Sequence, residues 1–218
     1  MTGSGNAPEM TQDAALSQFA ARVAHDFNNL LTGILGNLEL LQLRAARHNV
    51  RGLDPYLDGA NSAGTRAVAF AARLMVFSGR ATSPPVDVPV DELLGKFTPR
   101  AQCRLAAAGA TLLCDPEQLE LAVAELVDNA EAAGGEIFIS SAATAENIII
   151  TVRDTGLGME PEILRRAQEP FFTTNGNATG KGLGLAIVAR VVRNLDGAMS
   201  IHAAPGQGCT VTLTFPRS

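Results

Sequence analysis

The sequence has few cysteines, and their arrangement excludes two common kinds of site. Among 218 residues there are only three, Cys103, Cys114 and Cys209, widely spaced and odd in number. This pattern argues against a disulfide framework and against a CxxC metal site. A reducing, cytoplasmic location is therefore expected.

The sequence also lacks a basic cluster and a long apolar run. Seventeen basic and 22 acidic residues give a net charge of −5, without the Lys/Arg cluster that neutralises a phosphate backbone, so we expect no nucleic acid partner. No apolar run approaches the ~18 to 20 residues of a membrane helix, and the N-terminus lacks the pattern of a signal peptide. We therefore expect no membrane segment in this chain. A hydrophobic content of 46% predicts a globular core.

Two helices are predicted in the first third of the chain. Residues 1–10 are interpreted as a flexible leader. Thr11 is a plausible N-cap for a helix that continues to about Arg47, and Asp54 before Pro55 predicts the N-cap of a second helix. Apolar residues recur at spacings of three and four. They are Leu16, Val23, Phe27, Leu30, Ile34 and Leu41 in the first helix, and Ala60, Ala63, Ala67, Phe70, Leu74 and Phe77 in the second. Because two helices cannot bury both stripes, the hairpin over 11–80 predicts a homodimeric four-helix bundle.

The rest of the chain predicts an α/β domain. Three prolines within 81–89 predict a linker, so the second domain is placed at 90–218. Alternating and β-branched segments predict strands, and longer periodic segments predict helices. The predicted helices are Asp115–Ala133 and Leu183–Asn194, and the predicted strands are Glu136–Ser141, Asn147–Val152, Ala198–His202 and Cys209–Phe215.

The segment HDFNNLL places three polar residues of chemical interest on the first helix. His25 and Asn29 stand one turn apart on one face, and Asp26 is turned away by about 100°. His25 lies off the apolar stripe, so its imidazole is expected to face solvent and to be available as a nucleophile. A neighbouring carboxylate can orient the imidazole and accept its proton. The alternative is an ordinary polar helix surface.

Three further segments suggest a phosphate-bearing ligand. In AELVDNAEAAGG, Glu125 and Asn129 share a helix face among apolar residues, so Asn129 is expected to face the core. Such an amide could also merely cap a buried helix. In DTGLGM, Asp154 stands at the exit of a strand, where a carboxylate can read an amino group. Its glycines allow close backbone approach. GKGLGLAIV places glycines before a helix whose free N–H groups suit phosphate oxygens. Each glycine motif is weak by itself, but their ordered combination is strong.

The segment HDFNNLLTGILGNLELL resembles the phosphoacceptor segment of sensor histidine kinases. The resemblance implies that His25 is phosphorylated. It further implies that Asp26 helps to deprotonate His25, and that Asn29 orients water when the kinase dephosphorylates its partner. That partner would be the receiver domain of a response regulator, which accepts the phosphate on an aspartate.

The order of Asn-bearing helix, DTGLGM, PFFTT and GKGLGLAIV resembles the ATP-binding domain shared by histidine kinases, gyrase, Hsp90 and MutL-type proteins, over about Val90 to Pro216. The resemblance implies an α/β sandwich that binds ATP and Mg²⁺, with Asn129 as the metal ligand and Asp154 as the adenine reader. Phe171 and Phe172 would anchor a mobile lid. The remaining expected nucleotide-binding residues are Gly156, Gly158, Phe172, Thr173, Gly180, Lys181, Gly182, Leu183 and Gly184.

Three departures from the family pattern bear on mechanism. Asn175 stands where related kinases usually carry Lys, and Lys181 is our candidate for the missing cation. The second departure is Ala132, where the family often carries an acid. Glu125, however, resembles the glutamate that activates water in the gyrase-like branch, which makes some ATP hydrolysis conceivable. The span from Asp91 to Cys114 is short, so we expect the domain to be trimmed there.

Three functions fit these features. The first is a histidine kinase core with possible phosphatase activity. The second is a phosphotransfer adaptor with a relic ATP domain, but relics lose the nucleotide motifs that are present here. The third is a gyrase-like ATPase, which has no reason to carry an exposed histidine on a dimerising helix.

Overall fold

The computed structural model describes residues 7–48, 50, 52–79, 83–174 and 182–217, with side chains from residue 19 onward except that of residue 25. The chain divides into two compact units between residues 80 and 81. Among the described residues, no helix combines the length and apolar character needed to cross a membrane.

The first unit is a pair of helices, α1 (Ala7–Arg47) and α2 (Asp54–Phe77). α1 begins inside the segment predicted as a flexible leader, 1–10, and before the predicted cap, Thr11. α2 also differs at its start, because Leu53 is the N-cap and Asp54 lies in the first turn, where its charge favours the positive end of the helix dipole.

Small residues bring the two helices together. A Cβ added to Gly64 of α2 would lie 2.5 Å from Cδ2 of Leu35 in α1, which shows how closely the helices approach. The buried residues are Ala20, Ala21, Ala24, Leu31 and Ala45 in α1, and Gly64, Ala71, Leu74, Val76 and Phe77 in α2. The seam of the hairpin therefore differs from the predicted stripe of α1, most of which lies on the outside.

An apolar face of α1 remains exposed within the single chain. Phe27, Leu30, Ile34 and Leu41 of the predicted stripe are 43%, 65%, 53% and 54% exposed. Large apolar side chains in such a row usually mark an interaction surface. We refer to these four residues as the outer stripe.

The second unit is built on a five-stranded sheet. Its strands are β2 (Gln102–Ala106), β4 (Ile137–Ala143), β5 (Asn147–Asp154), β6 (Ala198–Ala203) and β7 (Cys209–Pro216). Their order is β2-β4-β5-β7-β6, with β2 parallel to β4 and the other neighbours antiparallel. Residues alternate between a buried face and a more open one, as the two-residue period of a strand requires.

Two helices contribute most of the buried helical side chains of this unit. They are α4 (Pro116–Ala133) and α6 (Gly184–Asn194), which contact each other. Together with the sheet they form the predicted α/β domain. The short helix α5 (Pro161–Arg166), which the sequence analysis did not predict, has no buried residue.

The start of this unit corrects two predictions. The predicted linker 81–89 contains strand β1 (Val86–Pro89), which pairs antiparallel with β3 (Thr111–Cys114), so the second unit begins earlier than residue 90. The segment expected to be trimmed contains α3 (Val90–Gly95), β2 and β3. Proline-rich sequence suggested a linker, but Pro89 closes the strand at its end, where a missing N–H is tolerated.

Candidate functional site

Helix α4 is fixed at both ends by its sequence. Asp115 is the N-cap: its Oδ1 accepts a hydrogen bond from the Glu117 amide (3.0 Å), and its Oδ2 accepts one from the Ser83 amide (2.8 Å). Gly134 ends the helix with φ of 77°, a conformation that costs glycine little. The helix predicted over Asp115–Ala133 is thus confirmed, with Asp115 as its N-cap rather than its first residue.

Glu125 and Asn129 of α4 lie beside the first residue of α6. Glu125 is 3% exposed, whereas Asn129 is exposed, which corrects the expectation of a core-facing amide. A Cβ on Gly184 would lie 3.0 Å from Oε2 of Glu125 and 3.2 Å from Nδ2 of Asn129. The absence of a side chain at Gly184 therefore keeps both polar groups next to the start of α6.

Asp154 ends strand β5 and is held as a buried carboxylate. Its side chain is 5% exposed, and its Oδ1 accepts hydrogen bonds from the amides of Gly156 (2.8 Å) and Cys209 (3.3 Å). Because both of these bonds use Oδ1, Oδ2 is the oxygen suited to accept a hydrogen bond from a ligand's amino group. The sequence placed Asp154 at the exit of a strand, and the structure has it as the last residue of β5.

Glycines allow three loops to meet around Asp154. A Cβ on Gly156 would lie 2.4 Å from the carbonyl oxygens of Ala133 and Gly134, and one on Gly158 would lie 1.9 Å from that of Ala204. The Leu157 amide donates to the Ala133 carbonyl (3.1 Å), and its carbonyl accepts from the Gly206 amide (2.7 Å). The end of α4, the DTGLGM loop and the turn before β7 are thereby joined.

The PFFTT segment is attached to the glycine-rich segment before α6. The Phe171 amide donates to the Gly182 carbonyl (2.8 Å), and a Cβ on Gly182 would lie 2.5 Å from the carbonyl oxygen of Phe172. The guanidinium of Arg166 stacks on the Phe172 ring at 4.2 Å from its centre. Thr173 is exposed and Leu183 is fully buried. Asn175, Gly180 and Lys181 lie outside the described residues.

The predicted phosphoacceptor residues belong to the other unit, on α1. The backbone of His25 is helical, as are its neighbours, but its side chain lies outside the described part of the structure. Asp26 and Asn29 are exposed, one position and one turn along the same helix. They therefore form a group separate along the chain from the residues around Asp154.

Oxygen donors in the second unit suit a hard cation. Mg²⁺ prefers carboxylate and amide oxygens, which Glu125 and Asn129 supply beside Gly184. Among the residues with described side chains, no group of three or more His, Cys, Asp or Glu forms a metal cage. A nucleotide-bound Mg²⁺ fits this arrangement, because such ions usually take only one or two protein ligands and complete their shell with phosphates and water.

Two residues of the site were missed in the sequence. A Cβ on Gly208 would lie 2.0 Å from the Asp154 carbonyl oxygen, and the Cys209 amide bonds its carboxylate. Burial, with the nearby Asp154 charge, raises the pKa of the Cys209 thiol to about 11. The proximity of these two residues to Asp154 depends on the pairing of β5 with β7, which links distant segments.

Two family profiles match the chain. Residues 15–75 match the His Kinase A (phospho-acceptor) domain. Residues 114–218 match the histidine kinase-, DNA gyrase B- and HSP90-like ATPase. The two matches fall on the two units described above.

Curated relatives align with both units. The sensor kinase CckA of Brucella abortus is 29% identical over 93% of this chain and 24% of its own length. The phosphate regulon sensor protein PhoR of Pseudomonas aeruginosa is 33% identical, over 90% of this chain and 49% of its own length. The sensor-like histidine kinase SenX3 of Mycobacterium bovis is 32% identical, over 94% of this chain and 54% of its own length. The chain thus spans about a quarter of the first relative and about half of the other two.

Solved structures share the fold. The crystal structure of full-length ShkA in complex with AMPPNP matches with a TM-score of 0.72 at 24% identity, covering 92% of this chain and 46% of that one. The mycobacterial sensor histidine kinase MprB matches with a TM-score of 0.50 at 26% identity, covering 61% of this chain and 96% of that one.

Proposed function

Since the chain belongs to the sensor histidine kinases and carries their catalytic core, we propose that it binds MgATP in its second unit and transfers the γ-phosphoryl group to His25. The observation that carries this proposal is that α4 places Glu125 and Asn129 beside Gly184, while its C-terminal end is bonded to the glycine-containing loop that follows Asp154. A relic domain would have no reason to keep a buried, doubly bonded carboxylate beside these loops.

The nucleotide would be read and held by groups with distinct tasks. Oδ2 of Asp154 would accept a hydrogen bond from the exocyclic amino group of adenine, because Oδ1 is already bonded by two backbone amides. The glycine segment and the N-terminus of α6 would donate to phosphate oxygens. Asn129 would hold Mg²⁺ with its amide oxygen, and the metal would supply charge neutralisation of the triphosphate.

The transfer itself would need little covalent chemistry from the protein. The Nε2 lone pair of His25 would form a bond to the γ-phosphorus as the bond to the bridging oxygen of ADP breaks. Asp26 would orient the imidazole and accept its proton. Phosphoryl transfer depends mainly on positioning and charge stabilisation, so the second unit's contribution is chiefly electrostatic.

We also propose a homodimer and a response regulator as partners of this chain. The outer stripe supports a homodimer, because a second hairpin would cover its four apolar residues and give the expected four-helix bundle. The phosphate on His25 would then pass to an aspartate of a response regulator, and Asn29 would orient water in the reverse, phosphatase reaction. The three unpaired thiols are in keeping with a cytoplasmic location.

Labelled ATP distinguishes this function from its rivals. The purified chain should acquire acid-labile label with ATP and Mg²⁺, and His25→Ala should remove it. An adaptor would bind no ATP and acquire no label. In an ATPase, the buried Glu125 beside Gly184 would activate water. Such an enzyme would release phosphate equally well with and without His25.

A further inference from the structure

Arg100 lies in a hydrogen-bonded turn between α3 and β2. Its amide donates to the Phe97 carbonyl (2.9 Å), and the Phe97 side chain is buried in the core. The Thr98 hydroxyl donates to the Gly95 carbonyl (2.9 Å), which closes the preceding turn. The guanidinium therefore starts from a fixed backbone position.

The guanidinium makes three charge-assisted hydrogen bonds to α4. Nε donates to Oε1 of Glu131 (2.8 Å), and Nη2 donates to Oε2 of Glu131 (2.7 Å) and to Oδ1 of Asp128 (2.6 Å). The bonds to Glu131 and Asp128 raise the pKa of Arg100, and the bonds from Arg100 lower the pKa of Glu131, so both of these groups are charged near neutral pH. Two parallel bonds to one carboxylate fix orientation in a way that a lysine cannot.

The two carboxylates flank Asn129 in the last two turns of α4. Negative charge is unfavourable near the C-terminal end of a helix, and α4 has no basic residue in its last turn. Arg100 supplies the missing cation from outside the helix. The same turns contain the Ala133 carbonyl, which accepts a hydrogen bond from the Leu157 amide. This end of α4 therefore carries the Asn129 side chain and also holds the DTGLGM loop.

We propose that Arg100 is a positioning residue for the nucleotide site. By holding Asp128 and Glu131 it would fix the end of α4, and with it Asn129 and the attached loop. It would also neutralise two carboxylates that otherwise repel the triphosphate. This inference rests on the proposed function, because Arg100 would position groups that bind MgATP.

A matched pair of variants tests the proposal in the intact chain. Arg100→Gln removes the fork, meaning the hydrogen bonds from the guanidinium to Asp128 and Glu131. Lys96→Gln removes a different exposed ion pair to α4, between Lys96 Nζ and Glu120 Oε2 (2.5 Å), in the N-terminal half of the helix. We expect Arg100→Gln to weaken MgATP binding by calorimetry about three- to tenfold and to raise KM more than it lowers kcat, since exposed ion pairs contribute modestly. Lys96→Gln should leave binding unchanged.

Charge reversal separates positioning from general stability. Arg100→Glu and Glu131→Arg should each weaken MgATP binding, and the double variant should regain most of the affinity. Unchanged affinity in folded Arg100→Gln, or an equal loss in Lys96→Gln, would overturn the proposal. If Arg100→Gln unfolds at the assay temperature, the double variant of Arg100→Glu with Glu131→Arg provides the test. A folded double variant that does not regain affinity for MgATP refutes the positioning role.

Failure of the positioning role can be distinguished from failure of the proposed function. If Asp154→Asn leaves ATP affinity intact, the nucleotide site itself is misassigned, whatever Arg100 does. If Asp154→Asn abolishes binding while Arg100→Gln has no effect, only the positioning role fails.

Discussion

Replacing Asp154 by asparagine tests the adenine-reading carboxylate with little damage to the fold. The asparagine carbonyl oxygen can still accept from the Gly156 and Cys209 amides, whereas Asp154→Ala would leave both donors unpaired. The position of Oδ2 would instead carry an NH₂ group. That group would face the amino group of adenine, so two donors would oppose each other.

The expected loss follows from the energy of one hydrogen bond. A hydrogen bond to a charged group contributes about 1.5–3 kcal/mol, which corresponds to about 10- to 150-fold in Kd. Binding of GTP should fall less than binding of ATP, or rise, because the new NH₂ group can donate to the guanine carbonyl oxygen.

Calorimetric titration with ATP and GTP at fixed Mg²⁺ provides the measurement. Thermal unfolding of the variant serves as the control for an intact fold. If a folded Asp154→Asn chain binds ATP as tightly as the parent, Asp154 does not read adenine and the site is wrongly assigned.

Three further predictions address other parts of the molecule. Gly184→Ala should weaken MgATP binding at least tenfold with little loss of stability, because the new Cβ would lie 3.0 Å from Glu125 Oε2; unchanged affinity by calorimetry would contradict the role of Gly184. Ile34→Glu should convert a dimer to a monomer in sedimentation, because it places charge in the outer stripe, whereas Arg66→Glu on the exposed side of α2 should not. Alkylation of Cys209 by iodoacetamide should be very slow at pH 7 and rise as pH approaches the raised thiol pKa of about 11; rapid labelling of the native chain at pH 7 would show that the thiol is neither buried nor protonated.

Local sequence was sufficient for elements whose signals are short in range. The helix predicted over Asp115–Ala133 and the strands predicted over Asn147–Val152 and Cys209–Phe215 follow from neighbouring residues, and the structure confirms them as α4, β5 and β7. The α/β fold followed in the same way, since the helices and strands alternate with clear changes of period.

Predictions that depend on long-range pairing were less successful. Pro89 suggested a linker, but β1 pairs with β3 more than twenty residues further along the chain. Likewise, an apolar stripe on α1 does not say which neighbour covers it. The buried residues of α1 are four alanines and Leu31, whereas the large residues of the outer stripe are exposed. Asn129 was expected in the core because its helix is mostly apolar, yet its position beside Gly184 leaves it exposed.

The nucleotide site was predictable in its members and not in its geometry. Asp154, Gly156 and Gly158 were identified from one motif, whereas the contribution of Gly208 and Cys209 arises from the pairing of β5 with β7. The fork of Arg100 has no sequence signal at all, because Asp128 and Glu131 lie about thirty residues away.

The central claim is that ATP bound in the second unit phosphorylates His25. The most direct measurement is site-resolved mass spectrometry of the chain after incubation with MgATP, under neutral conditions that preserve phosphohistidine. We predict phosphate on His25 in the parent chain and at least tenfold less, on the order of the predicted loss of ATP affinity, in Asp154→Asn at subsaturating ATP. Phosphate on another residue, or an unmodified His25 in a chain that binds MgATP, would contradict the account.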